Sequence, residues 1–201
     1  QILESDLIKQ RLPVLSEAAD VVGDVQVRNM GTIGGACAHC DPASDFPAVV
    51  LALDGQIKAL GSNGERTQNA AEFFVDMFTP NLEPDEVVTE VRIPNVGDIA
   101  GATYQKFAHP ASGYAIVGIA AVRTSGGDVR VAVTGSVPIA ARLSAVEAES
   151  SGKDLTEDNI DAAAEKATEG VDFVGDLHAS EEYRAHLTKV YTARALRAIA
   201  G

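Results

Sequence analysis

The chain has 201 residues, 46% of them hydrophobic and 22% charged, which allows one domain or two small ones with a real core. Its formal net charge is −13, tryptophan is absent and aromatics make up only 5%. Such a chain would repel a phosphate backbone and offers few stacking platforms, which argues against nucleic acid as a partner. No apolar run is long enough to span a bilayer and no basic-then-apolar leader is present, so a soluble, cytoplasmic protein is expected. The first residue is Gln1 and the chain opens directly into helix-like sequence, which suggests that an N-terminal part lies outside these residues.

Ile2 to Val22 carries an apolar stripe at helical spacing, and Pro13 divides it into two short helices that stop near Gly23. Asp24 to Met30 leads into the densest glycine stretch, Arg28-Asn29-Met30-Gly31-Thr32-Ile33-Gly34-Gly35-Ala36. Without Cβ atoms in the way, such a stretch lets the backbone approach a ligand, and its amides can face an anion. It matches neither the Walker phosphate loop nor G-x-G-x-x-G, so on the residues alone the favoured reading is a tight turn with no ligand. Ser44, Asp45 and Pro47 then start a helix that runs into Val49-Val50-Leu51-Ala52-Leu53, adding a positive dipole end to the neighbourhood.

Between these segments Cys37 and Cys40 form a C-x-x-C. A zinc or iron–sulfur site wants more ligands than this pair and His39 supply, and a redox dithiol expects another context. Two small packed thiols that bind no metal are the expectation.

Beyond Asp54-Gly55, strand-like sequence at Gln56–Leu60 and Glu65–Gln68 flanks the hairpin signal Asn63-Gly64. Ala70 to Phe78 reads as a short helix, and Glu86 to Ile93 alternates into a strand that Pro94 ends. The pattern changes at Asn95-Val96-Gly97-Asp98, the candidate boundary between a unit at 1–95 and a second at 96–201. Three strand-like runs follow at Ala102–Phe107, Ala115–Thr124 and Asp128–Thr134. Helical sequence takes over at Ser144–Ser150, Thr156–Glu169 and Ser180–Ile199. Strands followed by helices predict an α+β second unit, a three-stranded antiparallel sheet with helices on one face.

Arg-Asn-x-Gly-Thr-Ile-Gly-Gly, followed by Ala-His-x-Asp-Pro-Ala-x-Asp-x-Pro-Ala, resembles the second flavin-binding signature of the FAD subunits of molybdenum hydroxylases, the group of xanthine dehydrogenase and aerobic carbon monoxide dehydrogenase. The stretches at 83–94, 104–118 and 176–187 are similar to the carbon monoxide dehydrogenase branch, and the likeness extends over nearly the whole chain. It implies the second lobe of a molybdopterin-dehydrogenase-type FAD-binding domain followed by the small α+β unit. The family's first glycine motif, Ala-Gly-Gly-x-x, is not within residues 1–201.

The resemblance implies that Thr32, Ile33, Gly34, Gly35 and Ala36 form the phosphate side of an FAD site. Asp45 would accept hydrogen bonds from the sugar or ribityl part, Val88 would pack near the ring, and Lys106 and Tyr114 would sit beside it. On the residues alone, Asp45 reads as a helix cap, Val88 as a core strand residue, Lys106 as a solvated strand lysine and Tyr114 as a core aromatic. The family further implies a hetero-oligomer with a molybdenum-binding large subunit and a small subunit carrying 2Fe–2S clusters, in which FAD collects electrons and passes them on. No acid–base residue is then needed here. A flavin-free interaction module with the same fold, or a flavin subunit of an aldehyde, purine or aromatic hydroxylase, is the alternative.

Overall fold

The computed structural model describes residues 1–201. After a 3-10 turn at Ile2–Glu4 come four short helices: α1 (Asp6–Arg11), α2 (Pro13–Val21), α3 (Val25–Met30) and α4 (Ile33–His39). Each begins where the sequence supplies a cap or a proline. Pro13 occupies the first turn of α2, where a missing N–H costs nothing. Asp24 Oδ1 accepts from Val27 N at 2.9 Å to open α3, and Thr32 Oγ1 accepts from Gly35 N at 2.9 Å to open α4. The glycine stretch expected as a loop is therefore largely helical. The Thr32 cap offsets about half of the roughly 2 kcal/mol that the two helical glycines cost, and packing of α4 against β5 and α5 supplies the rest. α4 ends at Cys40, which takes the left-handed conformation at φ 50°.

The helix α5 (Asp45–Ala52) is buried along its whole length. It feeds a three-stranded antiparallel sheet in the order β2–β1–β5, built from β1 (Gln56–Gly61), β2 (Gly64–Asn69) and β5 (Val87–Arg92). The expected helix at Ala70–Phe78 is shorter than its pattern: α6 spans Ala70–Phe73, and the chain then pairs β3 (Phe74–Asp76) with β4 (Thr79–Pro80).

The second half holds an antiparallel sheet of four strands, not three: β6 (Ile99–Ala108), β7 (Ala115–Thr124), β8 (Val129–Thr134) and β9 (Ala141–Arg142). The fourth strand is two residues long and has no period to read. Helices α7 (Ser144–Ser150), α8 (Glu157–Glu165) and α9 (Glu181–Ala198) follow.

The helices α7, α8 and α9 lie on one face of this sheet, as expected for the second unit, and the other face is covered by α2 and α5 of the first half. The strand β7 shows how. Its Ile119 and Ala121 join the cluster formed with α7, α8 and α9, whereas Ala120 and Val122 join the cluster containing Val14 and Ala18 of α2 and Val49 of α5. Alternation along one strand thus feeds two cores, and a strand buried on both sides reads as a continuous apolar run.

Candidate functional site

A cleft of about 980 Å³ opens beside the glycine stretch. Its walls come from the C-terminal end of α2 (Val22, Gly23), the passage from α3 into α4 (Arg28 to Ile33), the turn into α5 (Ala43 to Phe46) and Tyr114. This volume is at the upper end of ordinary cofactor sites.

At the start of α4, Thr32 engages the Gly35 amide through its side chain and the Ala36 amide through its carbonyl (2.9 Å). Helix geometry leaves the amides of Ile33 and Gly34 as open donors. A Cβ on Gly35 would lie 2.9 Å from Thr32 Oγ1, so only glycine fits without disturbing the cap. A Cβ on Gly34 would instead meet Val88 Cγ1 at 3.4 Å, on the side of α4 that packs against β5. Neither glycine has a positive φ; Gly35 is needed for space, whereas a Cβ at Gly34 would make an ordinary contact with Val88.

Asp45 is the first residue of α5 and is 4% exposed. It accepts from Tyr104 Oη at 2.6 Å and from Lys106 Nζ at 2.9 Å, and Lys106 Nζ also donates to Val21 O at 2.7 Å. The Lys106 side chain is 3% exposed, so this is a buried ion pair in the wall of the cleft. Burial raises the pKa of Asp45, while Lys106 and Tyr104 pull it back. Burial and the adjacent carboxylate push the Tyr104 phenol well above its usual range, so it stays a donor. Tyr114 is half exposed at the cleft edge.

Of the residues singled out from sequence, the cleft brings together Thr32, Ile33, Gly35, Ala36, Asp45 and Tyr114. Gly34 lies on the side of α4 turned toward Val88, and Lys106 reaches the site through Asp45. Lys106 is not the solvated strand lysine of its local sequence. Sequence reasoning passed over Arg28 and Tyr104, although both lie inside the stretches that carried the resemblance. It also passed over Ile2 and Leu3, which line the cleft with no motif to mark them.

The two thiols are buried and unpaired. Burial and the neighbouring Cys40 push Cys37 up to about 12, and burial pushes Cys40 up to about 11. Cys40 Sγ donates to Cys37 O at 3.2 Å. No group of three or more His, Cys, Asp or Glu side chains is arranged to hold a metal ion. No helix is long and apolar enough to cross a membrane.

The family model described as the FAD binding domain in molybdopterin dehydrogenase matches residues 1–96. The model described as the CO dehydrogenase flavoprotein C-terminal domain matches residues 102–199. The chain therefore belongs to the FAD-binding medium subunits of the molybdenum hydroxylase family, which are oxidoreductase subunits. It is 34% identical to the carbon monoxide dehydrogenase medium chain of Hydrogenophaga pseudoflava, over 98% of this chain and 70% of that one. It is 35% identical to the glyceraldehyde dehydrogenase medium chain of Sulfolobus acidocaldarius, over 99% of this chain and 72% of that one. Among solved structures it is similar to the Hydrogenophaga pseudoflava carbon monoxide dehydrogenase that lacks the Mo-pyranopterin moiety of the molybdenum cofactor, with TM-score 0.91, 37% identity, and coverage of 98% of this chain and 70% of that one. It is also similar to quinoline 2-oxidoreductase from Pseudomonas putida 86, with TM-score 0.87, 28% identity, and coverage of 98% and 70%.

Proposed function

We propose that the cleft holds FAD, with the first turn of α4 toward the pyrophosphate, Asp45 toward the sugar or ribityl part and Tyr114 toward the ring. The observation that carries this reading is the small-residue start of α4, with amides at Ile33 and Gly34 free of helix bonds, where Thr32, Ile33, Gly35 and Ala36 line a cleft of about 980 Å³. The donor set fits the group: open amides suit an anion, and a Cβ at Gly35 would disturb the Thr32 cap that holds this turn in place. Gly34 and Val88 act from behind by seating α4 on β5, and Lys106 acts by fixing Asp45. When bound, FAD supplies a two-electron store that can be emptied in single steps. The chain's own task is to bind and orient it.

We further propose a cytoplasmic hetero-oligomer with a molybdenum-binding large subunit and a small iron–sulfur subunit carrying 2Fe–2S clusters. In it, electrons would pass through this subunit to an external acceptor. The "medium chain" names of the relatives support this, as does the apolar tip of the β3–β4 hairpin, where Val75 is 58% and Phe78 53% exposed. Carbon monoxide dehydrogenase remains the substrate branch suggested by sequence. Medium chains of a glyceraldehyde and a carbon monoxide enzyme are nearly equally similar, which supports a substrate chosen in another subunit. We propose reading residues 1–95 and 96–201 as two units that share the core around α5.

The test is flavin per chain in the full subunit, read from absorbance. Gly35→Val should lose FAD and keep its fold by circular dichroism. Full occupancy in that variant would show that the start of α4 is not the phosphate site. A wild-type chain that is folded but colourless would favour the flavin-free interaction module.

A further inference from the structure

The end of α2 lacks the usual backbone closure. Its C-cap, Val22, is extended and makes no capping N–H bond, so the last carbonyls need other donors. Two cations supply them. Arg28 Nη1 donates to Val22 O at 2.7 Å, to Gly23 O at 3.2 Å and, more weakly, to Asp20 O at 3.4 Å. Lys106 Nζ takes Val21 O at 2.7 Å. Four successive carbonyls are thus held by two positive charges, the sign that suits the negative end of a helix dipole.

The place that Arg28 grips is shared. Val22 and Gly23 line one wall of the cleft, and Arg28 lies on the segment that leads into the Thr32 cap. Gly23 also touches the turn that carries Tyr114: a Cβ on Gly113 would lie 3.2 Å from Gly23 Cα and from Gly23 O. Gly113 has φ +71°, a conformation that favours glycine independently of that contact. One guanidinium therefore ties together the passage into α4, the end of α2 and, through the Gly23–Gly113 contact, the Tyr114 turn. These are three of the walls that any ligand of the cleft would meet.

We propose that Arg28 is a positioning residue for the flavin cleft, setting the spacing between the start of α4 and Tyr114 through the carbonyls it holds. The inference rests on the FAD reading of the cleft. All three carbonyls are served from the one nitrogen Nη1, so the hold depends on a cation placed at that point, and a lysine ammonium able to reach it would restore part of it.

The experiment uses the full chain and three variants, Arg28→Met, Arg28→Lys and Gly35→Val, and measures the Kd for FAD by fluorescence quenching, the visible circular dichroism of bound flavin, and the thermal unfolding midpoint. Loss of charge-assisted bonds should raise the Kd of Arg28→Met about tenfold or more and alter the flavin dichroism, while the protein without flavin still unfolds cooperatively, at a lower midpoint. Arg28→Lys should recover part of the affinity. Wild-type Kd and dichroism in Arg28→Met, with binding lost in Gly35→Val, would overturn the role of Arg28 and leave the FAD reading standing. Wild-type binding in both variants would remove the FAD reading itself. Should Arg28→Met fail to fold, Arg28→Lys decides: a folded variant with wild-type Kd overturns the proposal, and a raised Kd with altered dichroism supports it.

Discussion

Replacing Lys106 with methionine would leave Asp45 in the wall of the cleft with Tyr104 as its single side-chain donor. The two charged side chains are 3% and 4% exposed, so solvent cannot take over the role of the ammonium. Removing one member of such a buried pair costs about 3–5 kcal/mol, mainly the desolvation of the charge left behind. For a chain of this size that corresponds to a fall in Tm of about 10 °C. The double variant Asp45→Asn/Lys106→Met removes both charges and should be more stable than the sum of the two single changes, by about 1–3 kcal/mol. Urea denaturation of the four proteins without added flavin measures this cycle. The pH dependence has a definite sign. Burial already raises the Asp45 pKa, and losing Lys106 raises it further. A carboxyl with a folded pKa above its unfolded value favours the folded state at low pH, and that contribution fades as pH rises above the unfolded carboxylate range. Lys106→Met should therefore be less destabilised near pH 5 than near pH 8. Additivity within about 0.5 kcal/mol, or a loss below about 1 kcal/mol for the single change, would refute the idea that the pair holds the wall.

Gly118→Ala should destabilise by about 1–3 kcal/mol or more by chemical denaturation, because its Cβ would run into Tyr104 Oη and lie 2.8 Å from Thr134 Cγ2. The thiols give a second pH prediction. Cys37 is held up to about 12 and Cys40 up to about 11, above the ordinary 9.0, so the folded chain keeps protons that the unfolded chain releases. Stability should fall as pH rises above about 9, by up to about 1.4 kcal/mol per pH unit for each thiol, and a Cys37→Ala/Cys40→Ala variant should show a flatter profile. Alkylation of the native protein at pH 8 should be slow, since the thiolate is the reactive form; rapid modification of both cysteines would contradict their burial.

The sheets were legible because alternation and apolar runs are local signals. Ala115–Thr124 and Ser144–Ser150 have in the structure the limits that their sequence predicts. What escaped was whatever depended on partners far along the chain or on elements too short to have a period. The strand at Ala141–Arg142 exists because β8 is there to pair with it. The glycine stretch reads as loop by propensity, yet Asp24 and Thr32 stand three residues before the amides they cap, a spacing present in the sequence that turns the segment helical. In the site, residues within the flavin signature could be listed from sequence. Their directions could not: Gly34 faces Val88, Gly35 faces the Thr32 cap, and nothing local distinguishes the two. The pairing of Lys106 with Asp45 spans 61 residues and is equally invisible until the fold brings β6 beside α5.

That long-range support explains why the cleft depends on the second half of the chain. The turn into α5 is gripped from the end of β8: Thr134 Oγ1 donates to Pro42 O at 2.7 Å and to Ser44 O at 2.9 Å, and Gly135 N donates to Pro42 O at 2.7 Å. Gly135 has φ +84°, and a Cβ there would lie 2.6 Å from Ala115 O, so the residue is confined to glycine by conformation and by space together. From β6, Tyr104 and Lys106 hold Asp45 one residue further on. Thr134 and Tyr104 are buried, and the Tyr104–Asp45 bond is made where water cannot replace it. The Ser44–Asp45 start of α5 is thus fixed by strands that follow it by about 60 to 90 residues. On the FAD reading proposed above, the glycine-rich stretch would supply the small residues that admit the cofactor, and the C-terminal sheet would hold the wall formed by the start of α5 in place beside it.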